Sequence, residues 1–167
     1  AIVMTASGCG VTVREYAELL ADDANYAEKA RQISELTRDI AEVIHDGDHG
    51  SLQAPPGIRV AFHSPCTLQH GQAIRGKVEA VLAAAGAELV PVLDSHLCCG
   101  AAGTYSLLQP ALSGQLLDNK LGHLQQNKPQ VIASANIGCL VHLAGEASVP
   151  VRHWVELLDP QASALLN

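Results

Sequence analysis

Every cysteine in this chain stands a few residues past a short apolar run that reads as a β-strand. The runs are 2–6, 58–63, 87–93 and 131–135. Cys9, Cys66, the Cys98–Cys99 pair and Cys139 follow them by at most six residues. Helical patterns lie between the runs. Residues 11–21 read as one helix and 25–45 as a longer one, with Tyr26, Ala30, Ile33, Leu36, Ile40, Val43 and Ile44 stepping by three and four along one face. A helix over 71–85 turns Ile74, Val78, Val81 and Leu82 inward and stops at Gly86. A turn at 104–108, a helix over 110–127 opened by Pro110, a short helix after Cys139, a strand near 149–152 and a helical turn at 154–158 complete the pattern. Strands separated by helices imply right-handed parallel crossovers, so the expected fold is α/β, an open, mostly parallel sheet with flanking helices. In such a sheet the carboxyl ends of the strands share one edge, where ligands bind.

Composition narrows the class. The chain has 167 residues, 48% of them hydrophobic and 16% charged, enough apolar mass for a sizeable core. Only five residues are Phe, Trp or Tyr, so the core is aliphatic, which favours α/β over an aromatic-rich sandwich. Seventeen acids against ten bases give a net charge of −7, and no basic cluster occurs, which argues against nucleic acid or an anionic membrane as the main partner. No apolar run reaches the length of a membrane span. An odd count of five cysteines fits a secreted disulfide scaffold poorly and a reducing cytoplasm well.

The loop from His45 to Gly57, with three Gly and two Pro, is the natural boundary between units. There is also an internal echo. Residues 3–9, ending in Ser7-Gly8-Cys9, resemble residues 132–139, ending in Ile137-Gly138-Cys139, with one residue inserted. Ile33-Ser34-Glu35-Leu36 resembles Trp154-Val155-Glu156-Leu157. A tandem repeat is the expected cause, with residues 1–50 the tail of a first copy and 51–167 a complete second one. The chain opens on Ala1 inside a strand, so this reading expects it to be a piece of something longer.

Loops from three strands can bring Cys66, Cys98, Cys99 and Cys139 to one point, with 31 residues between Cys66 and Cys98 and 39 between Cys99 and Cys139. Four convergent thiolates suit an iron–sulfur cluster or a zinc ion. A vicinal Cys98–Cys99 disulfide and four unconnected buried thiols are the other readings. Gly100, Gly103 and Gly138 would let the backbone approach a cluster closely. Gly100-Ala101-Ala102-Gly103 lacks the remainder of any phosphate-binding fingerprint.

His63-Ser64-Pro65-Cys66, Cys98-Cys99-Gly100 and Asn136-Ile137-Gly138-Cys139 resemble the cysteine-rich CCG domain, which occurs, usually in tandem, in heterodisulfide reductase B subunits and lactate-utilisation iron–sulfur proteins. The longer strings His63 to Gly71, Cys98 to Ser106 and Ala135 to Cys139 resemble iron–sulfur subunits of the glycolate oxidase (glycolate dehydrogenase) type, in their C-terminal repeat. Thr5 to Gly10 resembles the end of the preceding repeat. The resemblance implies one complete CCG repeat plus the tail of another, and a cluster of the 4Fe-4S type on Cys66, Cys98, Cys99 and Cys139, with zinc as the alternative. It makes Cys9 the remnant of the first repeat's site. It implies an electron-transfer subunit that passes electrons from flavoprotein subunits of the same complex towards quinone. FAD would sit only on a partner, the membrane contact would be peripheral and through the complex, and the location would be cytoplasmic or at the inner face of the cell membrane. The missing N-terminal region is a further expected partner.

The family motif ends Cys-x-x-Cys, whereas here the last position is His142. The fifth thiol of a non-cubane cluster is therefore lacking, and four remain for a cubane. His142 is one helical turn from Cys139 and reads either as a further ligand, which would raise the potential as in Rieske centres, or as a hydrogen-bonded neighbour. His63, His70 and His96 flank the cysteine loops and read as structural residues or donors to sulfur. Asp94 reads as a turn residue. His45, His49 and His123 read as surface or loop residues.

Overall fold

The computed structural model describes residues 1–47 and 50–159; His49 and the last eight residues of the expected second unit lie outside the described residues. Among the described residues two parallel sheets form. β1 (Ile2–Met4) pairs with β2 (Thr37–Asp39), Val3 opposite Arg38. The larger sheet runs β4 (Glu88–Leu89), β3 (Arg59–His63), β5 (Val131–Ser134), β6 (Val151–His153), parallel throughout. This is the expected open α/β architecture. Among the described residues no helix is long and apolar enough to cross a membrane.

Helix boundaries differ from the sequence reading in instructive places. The 11–21 segment divides into α1 (Ser7–Arg14) and α2 (Tyr16–Leu19). The expected 25–45 helix is broken into α3 (Ala27–Leu36) and α4 (Ile40–Asp46), with β2 between them. Pairing with β1 gives residues 37–39 their backbone partners. A capping box then restarts the helix: the Asp39 carboxylate accepts from the Ala41 N–H at 2.9 Å, and Glu42 accepts from the Asp39 N–H at 2.9 Å. Likewise the 71–85 helix becomes a π-helical turn (Thr67–Gly71) followed by α5 (Lys77–Ala84). The 87–93 strand ladders only at Glu88–Leu89, and after Val90 donates to the Val60 carbonyl, Pro91 has no N–H to continue.

Strand alternation sorts the core into two layers. Val60, Phe62, Val131 and Ala133 face α4, α5 and the closing 3-10 turn (Trp154–Leu158). Ala61, Ile132 and Val151 face the other way, with side chains of α7 (Pro110–Gln125), which follows the short α6 (Tyr105–Leu108), and of α8 (Ile137–Ala144). β3 thus leads to a helix on one face and β5 to a helix on the other. Their border is the point where an open α/β sheet offers a crevice. Period two puts His63 and Ser134, which pair with each other, on the α7–α8 side.

The smaller sheet is tied to the larger one by polar contacts. The Ser7 N–H donates to the Ala135 carbonyl at 2.9 Å. Gln72 Nε2 donates to the Ser7 carbonyl at 3.1 Å and to Asp39 at 3.2 Å. His153 Nε2 donates to the Thr5 carbonyl at 2.8 Å.

The internal echo has a structural counterpart, more regular than the letters showed. β1 ends at Met4 and α1 starts at Ser7; β5 ends at Ser134 and α8 starts at Ile137. Cys9 and Cys139 are each the third helical residue, so the two segments align without an insertion. Downstream, Arg38-Asp39-Ile40-Ala41-Glu42 and Arg152-His153-Trp154-Val155-Glu156 each end a parallel strand and form a capping box. Residues 40–43, rather than 33–36, are the counterparts of 154–157.

Candidate metal centre

Three loops at the carboxyl edge carry the thiols. Cys66 enters the π-helical turn after β3, Cys98 and Cys99 follow β4, and Cys139 lies in the first turn of α8. They are neighbours in series, each acting on the ionisation of the next: Cys66 with Cys98, Cys98 with Cys99, Cys99 with Cys139. Cys99 and Cys139 are buried and Cys66 and Cys98 half-buried. Cys9 is exposed and belongs to none of these contacts.

Local chemistry fixes each loop. The Asn136 side chain caps α8, accepting from the N–H of Gly138 at 2.9 Å and of Cys139 at 3.3 Å. Its Nδ2 donates to Thr67 Oγ1 at 3.1 Å, which couples the Cys139 helix to the Cys66 turn. Gly100 has φ +93°, and a Cβ there would stand 2.5 Å from the Ser113 carbonyl oxygen, so only glycine lets the Cys98–Cys99 loop lie on α7. The Gly100 N–H points at Cys98 Sγ, 3.3 Å away.

Without a cation the thiols resist ionisation. Cys98 is driven well above the usual thiol range by donating to Cys99 and by burial. Cys99 is pushed up to about 11, chiefly by donating to Cys139. Burial and the nearby Cys98 raise Cys66. Packed thiolates repel one another, and a metal centre removes that penalty.

His63 sharpens the same point. It is 1% exposed, and neither ring nitrogen has a hydrogen-bond partner among the described residues. Its ring nitrogen and the sulfurs of Cys99 and Cys139 all lie within 4.8 Å of one another. Burial, then the nearby Lys120 ammonium, hold its pKa down to about 3, so the ring is neutral. A neutral, desolvated imidazole with no partner is costly unless something in the cage takes up its polar atoms. The donor set therefore fits a sulfur-ligated metal or cluster: four neighbouring thiols, an orphaned imidazole, and a glycine-cradled backbone.

His142 sits beside this cage, and its Nε2 is 3.3 Å from Ser113 Oγ. Ser113 spends its proton on the Gly100 carbonyl at 2.9 Å, so the histidine nitrogen is the donor. With Ala101, Gly103, Ser106, Ile137, Gly138 and Val141 it lines an open, largely apolar pocket of about 370 Å³. His70 reaches the His96 carbonyl at 3.4 Å, and both histidines are at the surface. His45 pairs with Asp46, and His123 approaches Asp94 at 3.8 Å. Asp94 adopts φ +45° and its carbonyl accepts from Leu97, the turn role expected of it.

Lys120 escaped the sequence reading. It lies in the buried stripe of α7 with Ser113, Leu117, Leu121 and Leu124. A lysine in phase with an apolar stripe was the available signal. Burial lowers its pKa, and Cys99, Cys98, Asp94 and Cys139 oppose that shift.

The cysteine-rich domain family, CCG, matches residues 60–144, just over half of the chain and all four clustered cysteines. The chain belongs to this CCG family. Beyond the domain, it is 50% identical over 159 residues to the glycolate oxidase iron-sulfur subunit of Escherichia coli K12, covering 95% of this chain and 39% of that protein. It is 30% identical over 171 residues to lactate utilization protein A of Geobacillus thermodenitrificans, covering 94% of this chain and 69% of that protein. The corresponding Bacillus subtilis protein is 27% identical over 168 residues. The chain thus spans about two fifths of the length of the Escherichia coli relative it matches.

Proposed function

We propose that this CCG chain is the C-terminal part of an iron–sulfur electron-transfer subunit of the glycolate oxidase type. The observation that carries the reading is the run of neighbouring thiols from Cys66 through Cys98 and Cys99 to Cys139, with the orphaned His63 within 4.8 Å of the last two. The four cysteines are the ligands, and His63 donates to sulfur. Cys9 marks a second site belonging to the preceding repeat, of which residues 1–50 are the end. When bound, a cluster of the 4Fe-4S type supplies one-electron redox chemistry. The chain's own residues bind it, exclude water from its Cys99–Cys139 side, and set its potential. Nothing in the site is arranged to take a proton from a hydroxy acid, so substrate oxidation belongs to a flavoprotein partner that carries the FAD. Electrons leave towards quinone, with the complex at the inner face of the cell membrane. Identity to the Escherichia coli relative favours glycolate as the 2-hydroxy acid, and the lactate-utilisation relatives make lactate the competing choice.

Metal analysis of the full-length protein purified without oxygen tests this. About four irons and four sulfides for this site, with a reducible spectrum, support it. A second reading, structural zinc, draws on the close His63, Cys99 and Cys139 donor atoms. One zinc without iron would establish that reading and remove the first.

A further inference from the structure

Lys120 brings a full positive charge into the interior at 1% exposure. Its Nζ donates to two backbone carbonyls of the loop before Cys98, those of Asp94 at 3.1 Å and Ser95 at 3.0 Å. Among the described residues no carboxylate lies within ion-pair distance of it. Carbonyl dipoles alone are weak compensation for a buried ammonium. As a strut for the loop, moreover, a charge is superfluous. Gln69, which is neutral, already donates to the same Ser95 carbonyl at 3.3 Å and to the Ser64 carbonyl at 2.8 Å. The titratable groups within electrostatic reach of the ammonium are Cys98, Cys99, Cys139, Asp94 and His63.

We infer that Lys120 is the fixed counter-charge of the metal centre, a positioning residue that holds the Cys98–Cys99 loop and raises the reduction potential of whatever those thiolates bind. The inference rests on the iron–sulfur reading above. Four thiolates make the loaded site anionic, and reduction adds one electron to it. A cation fixed in a low-dielectric interior favours that reduced state over the oxidised one, and it costs no rearrangement when the electron arrives.

The test compares Lys120→Met, Lys120→Gln and Lys120→Arg in the full-length protein, loaded without oxygen. The readouts are iron and sulfide per chain and the midpoint potential from a spectroelectrochemical titration. The Met and Gln variants are expected to keep iron but to be about tenfold less reduced at a fixed poise, about 59 mV for a one-electron couple. Lys120→Arg is expected to hold the wild-type value. Loss of iron in the Met and Gln variants but not in Lys120→Arg would also support the charge, because Gln preserves a donor. Unchanged potentials in iron-loaded Met and Gln variants would overturn the inference. So would loss of iron from all three, which would make Lys120 only a strut. If the wild-type protein holds no iron, the underlying reading fails, and a loaded wild type with unmoved variants fails the inference alone.

Discussion

The two strand–helix–strand units, β1–α1 to β2 and β5–α8–β6, use one device and reach different ends. Both pair their strands in parallel, both start a helix three residues after the first strand ends, and both place a cysteine third in that helix. Yet Cys9 is exposed and Cys139 is buried against Cys99. A cysteine in the correct helical turn is therefore only one of the four thiols gathered at the larger sheet's edge. The other three thiols come from the β3 and β4 loops, and β1 has no such neighbours among the described residues.

The largest break between the units should come from the ligands. Cys98→Ser or Cys99→Ser should abolish most iron binding, whereas Cys9→Ser should leave the iron held by Cys66, Cys98, Cys99 and Cys139 unchanged. Iron per chain, measured side by side, decides it, and equal content in all variants would dissolve the comparison. Next is His63, which has no counterpart in the first unit. His63→Leu should weaken retention of the metal centre about 10–100-fold against a chelator. The same change should leave the metal-free protein as stable or more so, since it removes two unpaired buried nitrogens. A large loss of stability without metal would show that the ring has a protein partner after all.

Helix caps separate the units by a smaller amount. α8 has Asn136 at its N-cap, and α1 has Ala6, whose side chain cannot cap. Asn136→Ala should cost about 1 kcal/mol in chemical denaturation. The smallest effect is in pH dependence. Asp39 and His153 occupy matching cap positions, and burial perturbs both, raising the acid and lowering the base. For Asp39 the folded state holds its proton more tightly, so stability falls as pH rises from 3.8 through the raised folded pKa. For His153 the unfolded chain binds the proton more tightly, so stability falls as pH drops from 6.5 through the lowered folded pKa. Asp39→Asn should flatten the first slope and His153→Asn the second, read from denaturation midpoints across pH.

Much of this was legible in the letters, for definable reasons. Strand ends carry the cysteines, and apolar runs bounded by Gly and Pro reveal strand ends, so the four-thiol set could be read directly. The break at Thr37–Asp39 could not be seen in the helical pattern, because Ala30, Ile33, Leu36, Ile40 and Val43 keep one phase across it. Its cause is pairing with a strand 35 positions away, and the local trace is the Asp39-x-x-Glu42 spacing. Sequence spacing drew attention to His142, one turn from Cys139. His63 faces the cage because of which side of β3 it occupies, and only the order of the strands decides that. Lys120 was hidden because a long aliphatic stem ending in a charge usually marks a surface.

The uneven burial of the four thiols has a kinetic consequence. Cys99 and Cys139 close the inner wall of the cage, while Cys66 and Cys98 stand partly open to solvent. Incoming metal meets the outer pair first, and an attacking chelator or oxidant does too. A metal centre on these four thiols would therefore load from Cys66 and Cys98 inwards, and its loss would begin at those same two sulfurs. A species caught midway through loading would be held by Cys66 and Cys98, and one caught midway through loss by Cys99 and Cys139.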